Sequence, residues 1–191
     1  MNVAPRRPLK VYAFDPSLGR RYGNFLTVRV PGESELAKGP RGALVEVIDY
    51  DISNRCYYRP VDLNAPEILL DGGLEPSEAS PQFHQQMVYA VASRTIEHFS
   101  FALGRPFRWS PRLVGKRSDG REDRDAGKRR HAGERVRLRI LPHAFQEANA
   151  YYDPDLHALH FGYFAASQTD AGDNLPGQTV FTCLSYDIVA H

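Results

Sequence analysis

Histidine and cysteine hold transition metals and clustered carboxylates hold calcium, so these side chains are the first to place. The chain has seven histidines and two cysteines. His84 and His98 fall in one helical stretch, and neither has a second ligand one turn away. That spacing predicts helix-surface or core-edge positions for both. His157 and His160 stand three apart in a strand-like stretch, so their rings point to opposite faces and cannot share one ion. Cys56 and Cys183 form no metal or redox spacing and read as small buried hydrophobes. Asp170 and Asp173, in "SQTDAGDNLPG", lack the ligand spacing of a calcium loop. Local spacing yields no complete metal set.

Charge is uneven along the chain. From Arg105 to Arg139 there are 13 Lys and Arg against 5 Asp and Glu, although the whole chain carries only +1. Residues 115–135, "GKRSDGREDRDAGKRRHAGER", offer almost nothing apolar to bury. Burial there cannot offset the entropy of ordering, which predicts a disordered insertion. A phosphate-binding patch is the other reading of so many Arg and Lys. No aromatic is interleaved for base stacking, and acids interrupt the run, which argues against nucleic acid. No apolar run is long enough to span a membrane. The start, "MNVAPRRPLKVYAFDP", lacks the apolar core of a secretory signal, so a cytoplasmic location is expected.

The elements that would position these residues follow from pattern and punctuation. "KVYAF", "NFLTVRV", "GALVEVIDY" and "RCYYRPV" are rich in Val, Tyr and Phe and are separated by turn residues, which predicts an N-terminal β-meander. Residues 62–80 carry breakers throughout and read as a loop. A helix over 81–103 is bounded sharply: Ser80 can cap it, Pro81 suits its first position, Gly104 can close it and Pro106 forbids continuation. Val88, Ala92, Ile96, Phe99 and Leu103 form one apolar stripe along it. Residues 136–184 alternate as strands of a short mixed sheet. "SYDIVAH", 185–191, starts another helix, with Ser185 as cap and Asp187 in its first turn. The class is α+β.

Two stretches then stand in a telling order: "NAYY" at 149–152 and "DIVAH" at 187–191. With "RGALVEVIDYD" in the first third and "FHQQMVYA" opening the long helix, the chain resembles the N-terminal part of the catalytic region of thermolysin-like zinc metallopeptidases, the gluzincins. In that family an Asn-Ala-aromatic-aromatic strand edges the substrate cleft. A helix carrying Asp-x-Val-x-His-Glu-x-x-His then supplies two zinc ligands and the general base.

The resemblance implies a thermolysin-like N-terminal domain, incomplete over 1–191, whose helical C-terminal domain lies outside the chain. His191 would be the first zinc ligand. The Glu, the second His and a later carboxylate would follow it, so no catalytic residue lies within the chain and the 191 residues alone are expected to hold no tight zinc site. Asn149 would hydrogen-bond a peptide or protein substrate, and Ala150 would offer its carbonyl on the same strand. Tyr151 and Tyr152 would wall the cleft in place of the family's Phe-Trp pair. Asp187 matches a calcium ligand of some members, but the other calcium ligands of those members are not in this chain, and a carboxylate favoured at a helix start is the preferred reading. A second reading is a non-catalytic peptide- or protein-binding module on the same fold.

Overall fold

Two strands near the N-terminus bury alternate residues against the same partner. In the computed structural model, which describes residues 5–18, 23–109, 115–116, 122–123 and 136–191, β1 (Arg6–Tyr12) pairs antiparallel with β2 (Phe25–Pro31). Leu9 and Val11 on one strand and Val28 and Val30 on the other enter the core, while Lys10, Thr27 and Arg29 stay on the outer face. Asn24 closes the base of this hairpin, its Oδ1 accepting from the N–H groups of Ala13 and Phe14.

The expected meander stops there. β3 (Val45–Val47) leaves the hairpin and pairs parallel with β8 (Leu138–Phe145), Val45 beside Leu138 and Val47 beside Ile140. The short β4 (Tyr50–Asp51) and β5 (Cys56–Tyr57) form a second local hairpin. Short turns favour hairpins locally, but a parallel partner is set by burial far along the chain. The loop expected over 62–80 also contains a one-turn helix, α1 (Pro66–Asp71), whose breakers mark its ends: Pro66 opens it and Gly72 closes it at φ +69°.

The long helix, α2 (Pro81–Ala102), begins and ends where its punctuation predicts. Ser80 Oγ accepts from Phe83 N at 3.3 Å, Pro81 takes the first position, and Gly104 adopts φ +63° just beyond the end. Ser80→Ala should therefore lower stability by about 1 kcal/mol, read from urea unfolding with an unchanged slope.

The single-stripe expectation for α2 is corrected. Val88, Ala92 and Ile96 are buried, but Phe99 and Leu103 are 58% and 53% exposed. From Phe83 to Ala92 the helix is buried on every side, because it packs against the β1–β2 hairpin on one flank and β3 and β8 on another. Its interior polar residues are consequently tied down. Gln85 takes Val61 N–H and donates to Asp49, while Gln86 takes Leu74 N–H and donates to the carbonyl of Lys10.

Beyond α2, β6 (Gly115–Lys116) and β7 (Glu122–Asp123) pair antiparallel. The rest of the predicted 115–135 insertion lies outside the described residues. The central sheet is mixed, as expected, with order β11–β10–β8–β3 and β9 added on β10. β9 (Ala150–Asp153) and β11 (Thr179–Phe181) run antiparallel to β10 (Ala158–Ala165), whereas β8 runs parallel to it. A 3-10 turn over Thr182–Leu184 leads into α3 (Tyr186–Ala190). No described helix is long and apolar enough to cross a membrane.

Candidate functional site

β9 is an edge strand, paired with β10 alone. The Asn149 carbonyl accepts from Gly162 N at 2.9 Å, which fixes the alternation of the ladder. Residues one step on, Ala150 and Tyr152, sit opposite Phe161 and Leu159 as the non-bonded pairs, so their backbone groups face the open edge. Asn149 is exposed, and its Oδ1 accepts from Ala150 N at 2.8 Å. That leaves the Ala150 carbonyl and both backbone groups of Tyr152 directed outward.

This edge forms one wall of a cleft of about 480 Å³, lined by Ala150, Tyr151, Tyr152, Leu159, Phe161, Asp187, Ile188 and His191. Strand and helix start thus meet across 35 residues of sequence, and five of the six site residues expected from sequence, Ala150, Tyr151, Tyr152, Asp187 and His191, line the cleft, while Asn149 is not among its lining residues. Tyr151 and Tyr152 are about half exposed, on opposite faces of β9. The Tyr151 ring stacks on His160 at 4.9 Å with 6° between planes, and Tyr152 Oη lies 3.1 Å from His157 Nδ1. His157 itself is in a turn at φ +50°, not in the extended conformation its sequence suggests.

On the opposite wall, Ser185 stands at the start of α3 but makes no side-chain bond to a helix N–H. Its hydroxyl donates instead to Asp187 Oδ1 at 2.5 Å, and that bond holds the Asp187 carboxyl below the usual range. His191 is exposed, its N–H donating to the Asp187 carbonyl at 2.9 Å.

A second constellation is one that local spacing does not reveal. His84 from α2, His143 from β8 and Cys183 from the 3-10 turn meet in the core, their ligand atoms all within 4.8 Å of one another. All three are buried, which corrects the surface or core-edge position expected of His84. His98 is exposed, and both cysteines are free thiols. His84 Nδ1 faces His143 Nε2 at 2.8 Å. The outer nitrogens are committed elsewhere: His143 Nδ1 to Asp49 Oδ1 at 2.6 Å, and His84 Nε2 to the Glu78 carbonyl at 3.1 Å. Phe181 packs over both rings, 4.6 Å from His84 and 5.3 Å from His143. Burial, with the neighbouring His143 adding to it, pushes His84 down to about 3. Burial likewise pushes the Cys183 thiol well up, followed by the repulsion of Asp49.

His143, in "LPHAF", has no motif around it, and 59 residues separate it from His84. The packing of α2 against β3 and β8, which pair side by side, brings the two rings together. Comparison of the chain with protein-family models, with curated proteins and with solved structures finds no match.

Proposed function

We propose that the chain forms the substrate-strand part of a zinc metallopeptidase catalytic region. The observation that carries this reading is the cleft itself, with the open edge of β9 on one wall and the Asp187–His191 turn on the other. An extended peptide can add to such an edge through main-chain hydrogen bonds, taking the outward groups of Ala150 and Tyr152. Tyr151 and Tyr152 would then set which side chains fit. An exposed imidazole at the end of α3 is available as a ligand, and one imidazole is a third of the protein ligands such a zinc site uses. Zinc, when bound, would supply the Lewis acid that activates water for attack on the peptide bond. The chain's own share of the work is to bind and align the peptide beside that position.

The test is made on the complete gene product. Its reading frame is expected to continue Glu, two residues, His directly after His191, since i and i+4 place two imidazoles on one ion. That product should cleave unfolded protein, lose the activity to a chelator, and lose it again in His191→Ala. A reading frame without Glu next to His191 overturns the peptidase reading. Peptide binding without turnover in the complete product would also overturn it, in favour of the binding module.

A further inference from the structure

We propose that His84 Nδ1, His143 Nε2 and Cys183 Sγ are the ligands of a buried zinc ion, distinct from the metal position proposed at His191 and against the expectation that residues 1–191 alone hold no tight zinc site. The Glu78 carbonyl can only accept, so His84 Nε2 carries the proton and its Nδ1 presents a lone pair. Asp49 accepts from Gln85 at Oδ2 and faces His143 Nδ1 at Oδ1. As a carboxylate it takes the Nδ1 proton of His143, which leaves Nε2 with a lone pair too. Two lone pairs then face each other across 2.8 Å between rings that are 1% and 2% exposed. A proton or a metal ion shared between the two nitrogens relieves that repulsion.

A proton would satisfy the two nitrogens without engaging the Cys183 sulfur, which lies within 4.8 Å of both. A metal ion uses all three donors. Two imidazoles and a thiolate are borderline-soft ligands, the set that zinc takes up. The Asp49–His143 contact has the carboxylate–histidine form that fixes the tautomer and orientation of metal-bound imidazoles. Charge selects among ions. Zn²⁺ with the Cys183 thiolate and the Asp49 carboxylate sums to zero, whereas Cu⁺ would leave a net negative charge buried, which is costly. Tetrahedral zinc needs its two nitrogens about 3.3 Å apart, so the rings must open slightly from their present contact. Three protein donors leave the fourth position to a single water.

The ion would tie the first turn of α2 to β8 and to the turn that precedes α3. The same three-way junction sets the cleft's second wall, because the turn over Thr182–Leu184 runs straight into Ser185 and Asp187.

The experiment uses the 1–191 chain, purified without chelator and dialysed, with elemental analysis and cobalt substitution as readouts. One zinc per chain is expected, retained in His191→Ala and lost in Cys183→Ala. Cobalt exchange should give a thiolate-to-metal charge-transfer band that persists in His191→Ala and disappears in Cys183→Ser. Asp49→Asn should weaken zinc binding about 10- to 100-fold while leaving that band at saturating cobalt. Because a ligand variant can fail to fold, the decisive measurement is on the wild-type chain. Folded chain that takes up neither zinc nor cobalt through Cys183 overturns the proposal, as does zinc that depends on His191 alone. Loss of peptidase activity in the complete product with zinc still held by Cys183 would instead count against the function proposed above.

Discussion

Gln85→Leu is expected to cost about 3 to 5 kcal/mol of folding stability, although it adds apolar surface to a fully buried position. Gln85 Oε1 accepts from Val61 N at 2.8 Å and its Nε2 donates to Asp49 Oδ2 at 2.7 Å. Leucine can make neither bond, and neither partner reaches water. A buried N–H and one oxygen of a buried carboxylate would each lose a partner, at about 1 to 3 kcal/mol, with the charged group at the upper end. The Arg59 carbonyl, the third partner of Gln85, keeps its bond from Gln82 Nε2 and adds little to the loss. Met87→Leu, two residues on and equally buried, preserves volume and orphans nothing, so it should cost less than about 1.5 kcal/mol. Urea unfolding of the two variants side by side checks this, and equal midpoints would show that the glutamine bonds contribute nothing net.

Gln85 also marks the boundary between what local sequence can and cannot specify. The ends of α2 are written in adjacent residues, Ser80, Pro81 and Gly104, because capping is a local interaction. Its surroundings are not. In a helical pattern Gln85 and Gln86 look solvent-facing, yet the groups they satisfy belong to residues 10, 49, 59, 61 and 74, which only the tertiary fold brings near. Polar residues inside a helix that is buried all round defeat a periodicity argument for the same reason.

The two candidate sites differ in the same way. "NAYY" and "DIVAH" are contiguous stretches, so their order along the chain could suggest one locus, and Ala150, Tyr151, Tyr152, Asp187 and His191 do line one cleft. His84, His143 and Cys183 come singly from three elements, with no spacing rule connecting them. Each looks ordinary alone. The α+β class was legible because strand-like alternation and helix punctuation are local signals, while the departure of β3 to a parallel partner 93 residues away was not.

Gly162→Ala should disturb the cleft more than any substitution of a residue that lines it. Gly162 lies in β10 where the pairing with β8 shifts register, opposite Phe145. Its backbone conformation is open to any residue, so the reason for glycine there is space. A methyl group would run into the Glu147 carbonyl oxygen, come within 2.6 Å of the Phe145 ring and stand 2.9 Å from the Asn149 carbonyl oxygen. Two of these three neighbours are backbone in the 146–149 connection that leads into β9, and backbone cannot turn aside as a side chain would. Overpacking of this kind costs about 3 kcal/mol. The cheapest relief is to push that connection outward, breaking the Gly162 N–H to Asn149 bond that sets the β9 register. Faster hydrogen exchange at the amides of 151 and 153, and weaker peptide binding at the edge, should accompany the loss of stability. Gly104→Ala supplies the comparison, since that glycine has φ +63° and open space around it. It should cost about 1 to 2 kcal/mol through backbone strain alone and leave exchange in β9 unchanged. If the two variants exchange alike in β9, the close approach at Gly162 is not what holds the strand in place.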